Sequence, residues 1–113
     1  MSVDIPTQTE RDDRIAKFLS AEREAAIADL AWVMSTIQGR RFVDMLRRDT
    51  GIRAQSFRPD PHETAFNEGR RSVGLELEAR LIAPDLAHLF DLMEKEHRDR
   101  IRDRNDFIGS ADE

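Results

Sequence analysis

The side chains that could do chemistry in this 113-residue chain are three histidines, a Glu-x-x-His pair, a glycine-spaced run and three arginine doublets. The histidines are His62, His88 and His97, and the last stands three residues after Glu94. In a helical bundle a Glu-x-x-His pair can hold half of a di-iron site, but the other half needs a second pair and two further glutamates. The sequence has no second pair, so a solvated helix surface is the expectation and no metal is assigned. Gly69-Arg-Arg-Ser-Val-Gly74 has the glycine spacing of a phosphate loop, yet Leu75 and Glu76 stand where Lys and Ser or Thr are required. No nucleophile elbow surrounds Ser72. The chain is therefore expected to be no enzyme and to hold no cofactor.

The doublets Arg40-Arg41, Arg47-Arg48 and Arg70-Arg71 carry two readings. In one they are exposed helix positions paired with Asp44, Asp49 and Glu68. In the other, one arginine of each doublet faces a groove between two helices, where a guanidinium fork suits a carboxylate or phosphate partner. Arg40, Arg41, Arg70 and Arg71 are the candidates for that contact. Phe57, between the doublets, is expected to plug the core, with an exposed anchor as its alternative. Trp32 stands beside Ala28, Ala31 and Ser35, where an aromatic serves equally as core or as interface anchor.

Charged residues make up 36% of the chain and apolar ones 39%, a ratio that suits slim amphipathic helices better than a thick core. Residues 39–80 are net +2, between an N-terminal part of −3 and a C-terminal part of −4. A duplex-binding protein carries a stronger basic excess, so DNA contact is not favoured. There is no cysteine, hence no disulfide or thiolate metal site. The first residues show no basic region followed by an apolar run, and no stretch approaches the ~18 apolar residues of a membrane span. A cytoplasmic protein is expected, unless it is carried into something larger.

These residues must be positioned by helices. Residues 1–10, with Pro6, read as an extended arm. From about Arg11 to Ser35 the side chains of Ile15, Phe18, Leu19, Ala26, Leu30 and Val33 recur at helical steps, with Ser20 and Ser35 as possible breaks. A second helix covers Thr36 to Asp49 through Ile37, Phe42, Val43 and Leu46, and Gly51 stands where a left-handed cap is expected. The loop from Gly51 to Pro59 is expected to pin itself by Ile52 and Phe57. Asp60, Pro61 and Glu63 then start a third helix, with Phe66, Val73, Leu77 and Leu81 on its apolar face. Gly69 and Gly74 interrupt it, and close helix approach is the expected reason. Pro84 ends that helix and begins a fourth, from about Asp85 to Arg104, whose second half is a mixed-charge extension. The prediction is an all-α bundle of about four helices: arm 1–10, one helical domain 11–104 and an acidic tail 105–113.

The block from Gly39 to Leu81 resembles the central motif of a family of small proteins of tailed bacteriophages, first noticed in a Bordetella phage. The resemblance rests on Gly-Arg-Arg-Phe at 39–42, Gly51, Ser56-Phe57, Ala65-Phe66, Glu68-Gly69-Arg70-Arg71 and Gly74-Leu75. Ser35-Thr36-Ile37-Gln38 departs from it, standing where a proline- or glutamate-bearing helix start is expected. The resemblance implies a virion or assembly protein without enzymatic activity, and it assigns no site residues. The resulting expectation is a non-enzymatic protein of the head, portal or neck, multi-copy or homo-oligomeric, in the virion and, during assembly, in the host cytoplasm. A small helix-turn-helix-like DNA-binding regulator is the alternative.

Overall fold

The computed structural model describes residues 5–111, of which four helices take up 80%. Helix α1 spans Gln8–Met34, α2 Ile37–Asp49, α3 Pro61–Leu81 and α4 Ala87–Ala111, with no strand among the described residues. The all-α bundle expected from the sequence is present.

Local chemistry sets the boundaries. A capping box starts α1: the Thr7 hydroxyl accepts from the Glu10 amide at 3.2 Å, and the Glu10 carboxylate accepts from the Thr7 amide at 3.3 Å. The helix therefore begins at Gln8 rather than Arg11, which shortens the expected arm; its residues 1–4 lie outside the described residues. Ser20 does not break α1. The break falls at Ser35, whose hydroxyl donates to the Trp32 carbonyl at 2.6 Å, and Thr36 then caps α2 by accepting from the Gly39 amide at 3.0 Å. Threonine thus does the work expected of a proline or glutamate there. Gly51 takes the left-handed conformation, with φ 70°, as its place after α2 predicts. Asp60 caps α3 with Pro61 in its first turn.

After Pro84 the chain makes one turn, closed by the Leu86 amide on the Ala83 carbonyl, before α4 begins at Ala87 rather than Asp85. The same helix continues to Ala111, past the expected end at Arg104, so the described part of the tail is helical.

Helix α2 touches all three other helices and is the hub. The apolar core is small: Met34, Val43, Leu81 and Met93, with Leu30, Val33, Leu77, Leu89 and Phe90 packed around it. Leu86 and Ile52 are buried as well. The molecule is long, 88 × 40 × 20 Å, and its radius of gyration of 21.3 Å exceeds the ~13 Å of a compact domain of this length.

Several expected core positions face outward. Ile15, Phe18 and Leu19 of α1, Ile37, Phe42 and Leu46 of α2, and Phe66 and Val73 of α3 are exposed. Phe57 is 67% exposed and does not plug the core; of the two loop anchors only Ile52 is buried. Gly69 also corrects the expectation: a Cβ there would meet nothing within 4 Å. Close approach falls instead on Gly74, where a Cβ would lie 2.8 Å from Thr50 Cβ, and on Gly39, where it would lie 2.8 Å from the Val33 carbonyl carbon.

Candidate interaction surface

Positions 40, 43, 44 and 47 share the inner face of α2 at helical spacing, and three of the four are charged: Arg40, Asp44 and Arg47. Arg47 is completely buried and Asp44 is 2% exposed. Burying a guanidinium is tolerable only when it is paired and hydrogen-bonded. Arg47 reaches three carboxylates, Asp44 at 3.1 Å, Glu78 of α3 at 3.2 Å, and Glu94 of α4, while its Cζ lies 5.2 Å from the centre of the Phe90 ring. Asp44 in turn is held by Arg48 at 3.1 Å, His97 Nδ1 at 3.0 Å and Arg100 at 3.4 Å. Burial alone would push the Asp44 carboxyl up, but hydrogen bonds from Arg48 and Arg47, with the charges of Arg48 and His97, hold it below the ordinary aspartate value.

This network joins α2, α3 and α4, so it is the polar half of the core. The expectation of exposed doublets fails at Arg47, while the partner Asp44 is as expected. Glu94 and His97, the Glu-x-x-His pair, are turned to Arg47 and Asp44. No group of three or more metal-ligating side chains stands together among the described residues.

The six partner-contact candidates do not form one site. Arg40 sits at the N-terminal end of α2, where it donates to Glu96 at 2.6 Å and to the Met34 carbonyl at 2.9 Å. It ties α1, α2 and α4 together. Arg41, beside it, is exposed. At the other end of α2, Arg70 donates to the Asp49 carbonyl and lies over the Phe66 ring, and Arg71 donates to the Ile52 carbonyl at 3.3 Å. Both arginines thereby fasten the α2–α3 connection, together with Asn67, which donates to the Ser56 carbonyl at 3.2 Å. Arg48, Ser56, Arg58, Asn67 and Arg70 line a polar cleft at this end, so Arg70 does face a groove between α2 and α3. Trp32, at 78% exposed, stands apart on α1.

A more extensive feature is the apolar surface. Eighteen large apolar side chains are exposed among the described residues against six that are buried, so the fold leaves most of its hydrophobic side chains without internal cover. An apolar groove lined by Ala26, Ile27, Leu30, Leu77, Ala83 and Leu86, flanked by Arg23 and Arg80, adds to it between α1 and the α3–α4 corner. Helical periodicity flagged many of these positions, but periodicity marks a face and not what covers it. No helix among the described residues is long and apolar enough to cross a membrane.

The four helices define a small all-α chain. The model of the Bbp19-like phage protein family matches residues 30–96, more than half of the chain, and the chain belongs to that family. The matched segment runs from the last turn of α1 through the charged core to Glu96. No curated protein and no solved structure matches the chain.

Proposed function

We propose that this phage protein is a non-enzymatic structural component of a tailed-phage particle, held at the head, portal or neck or acting there during assembly. The observation that carries the proposal is the uncovered apolar surface on a phage-family chain. The accessible area is 8891 Å², against roughly 6,400 Å² for a compact monomer of this mass. The excess of roughly 2,500 Å², polar and apolar together, goes with the elongated shape and exceeds the roughly 800 Å² that each partner contributes to a standard interface. Trp32, Phe42, Phe57 and Phe66, each more than half exposed, are the aromatic anchors such contacts favour.

The DNA-regulator alternative needs Arg70 and Arg71 free for phosphate. Both donate to carbonyls of the α2–α3 connection, which supports the structural reading instead.

A mass-spectrometric inventory of purified particles tests the proposal. The chain is expected at a fixed stoichiometry to a head or neck protein. Recovery only from unfilled precursors would make it an assembly factor, and absence from both would overturn the proposal.

A further inference from the structure

Residues 8–29 of α1 lie outside the segment that matches the family, and all of them except Ser20 are exposed. At seven-residue spacing this stretch sets Ile15 and Phe18 at the centre of a strip whose other positions are polar or small: Gln8, Arg11, Glu22, Ala25 and Asp29. Ile15 is 56% and Phe18 64% exposed, and Leu19 flanks them on the same face. Two bulky apolar residues at the centre, an arginine one turn before them and a glutamate one turn after form a strip that matches itself when reversed.

We propose that this part of α1 pairs with the same part of a second copy of the chain, antiparallel, about a two-fold axis near Ala16 and Lys17. The seam alternates between the first and the fourth position of each seven-residue repeat, and in an antiparallel pair first positions face fourth positions, so Ile15 of one copy is set on Phe18 of the other and the reverse. One turn outward from that double layer, the same register sets Arg11 on Glu22 at both ends, and beyond them Gln8 on Ala25. The charges interrupting the apolar seam thus become two symmetric ion pairs that close it.

The alternatives are penalised by the same residues. A parallel pair would set Arg11 on Arg11 and Glu22 on Glu22, placing like charges together in the seam. Sliding the antiparallel pair by seven residues sets Phe18 on Glu22 in one direction or on Gln8 in the other. The slide that puts Phe18 on Glu22 also puts Arg11 on Asp29, but only the first register joins Ile15 to Phe18 and Arg11 to Glu22 at the same time. That register also draws on the surplus surface that a lone copy leaves in water.

Sedimentation velocity of the full chain over a concentration series tests the pairing. The expected mass rises from 13.1 kDa to twice that value. Phe18→Asp is expected to remain monomeric throughout, with its far-UV circular dichroism unchanged. Arg11→Glu and Glu22→Arg should each weaken the dimer about tenfold or more, and the double reversal should recover it. A wild-type chain monomeric at every concentration overturns the proposal, as does a dimer that survives Phe18→Asp. A double reversal no tighter than either single change overturns the antiparallel register. None of these outcomes bears on presence in the particle, which the inventory of particles decides separately.

Discussion

Arg47 in the middle of α2 is fully buried, while Phe18 in the middle of α1 is 64% exposed. The usual distribution of charge and hydrophobicity is inverted between these two regions. In the bundle the inner face of α2 has room for only one apolar residue, Val43, and its charged neighbours are made tolerable by partners on α3 and α4. In the first part of α1 no other helix covers Ile15 and Phe18, so these apolar side chains stay in water in a lone copy. The difference separates the residues that hold the chain together from those that the proposed pairing would cover.

The largest expected effect comes from breaking the charged core. Arg47→Met removes the buried cation that Asp44, Glu78 and Glu94 share and, although Asp44 keeps Arg48, His97 and Arg100, it breaks the only link of the network to α3 through Glu78, at a cost of about 3 kcal/mol. Against a typical total of about 5–15 kcal/mol this unfolds the chain or lowers its melting temperature severely. A variant that melts near the wild-type temperature, followed by circular dichroism, would show that the network contributes little.

Glycine substitutions come next and sharpen the same contrast between packed and open faces. Gly74→Ala drives a methyl group into Thr50 and should destabilise by about 1–3 kcal/mol. Gly69→Ala meets open space, and relief of the helix penalty should stabilise by about 0.5–1 kcal/mol. Opposite shifts in melting temperature are expected; equal shifts would mean the two faces of α3 do not differ.

Acid tests the network by a different route. Because Asp44 is held below its ordinary value near 4, its contribution is complete above that pH and is lost as pH falls from about 4 through the depressed folded value. Stability measured by urea unfolding should decline over that window. Asp44→Asn, already weakened, should show a shallower decline, and identical slopes would remove Asp44 from the account.

What the sequence reveals follows from the range of the forces. Helix ends set by neighbours in the chain are legible: Asp60-Pro61, Gly51 and Pro84 lie where the caps and breaks occur. The start of α1 is written as Thr-x-x-Glu at 7–10, but the apolar period begins only at Ile15, which draws the expected start inward. Likewise α4 outlasts its apolar stripe, with Lys95 and Arg102 paired to Asp99 along its surface.

Burial is less legible because it depends on partners distant in sequence. Phe42 and Leu46, one turn apart, share a face of α2 that the fold leaves in water, whereas Val43, Asp44 and Arg47 form the inner one, so the apolar pattern alone selects the wrong side. For the candidate surface, the presence of Trp32 and Phe57 was evident and their exposure was not. Arg40, Arg70 and Arg71 read as ligands for a partner, whereas the structure turns them to Glu96 and to backbone carbonyls more than a dozen residues away.

The smallest expected effect on stability is at Trp32. With 78% of its surface in water it contributes little to the fold, so Trp32→Ala should change unfolding free energy by no more than about 0.5 kcal/mol. Its effect on attachment should be far larger, because a large exposed aromatic gains most of its burial only when a partner arrives. It is also the chain's single tryptophan, so its fluorescence reports that event directly. Quenching by a soluble collisional agent should be efficient in the isolated chain and suppressed once the chain is bound to particles. Trp32→Ala that lowers the melting temperature as strongly as a core substitution would place this residue inside the fold. A tryptophan equally quenchable in free and bound chain would remove it from the interaction surface and leave the attachment to the remaining exposed aromatics.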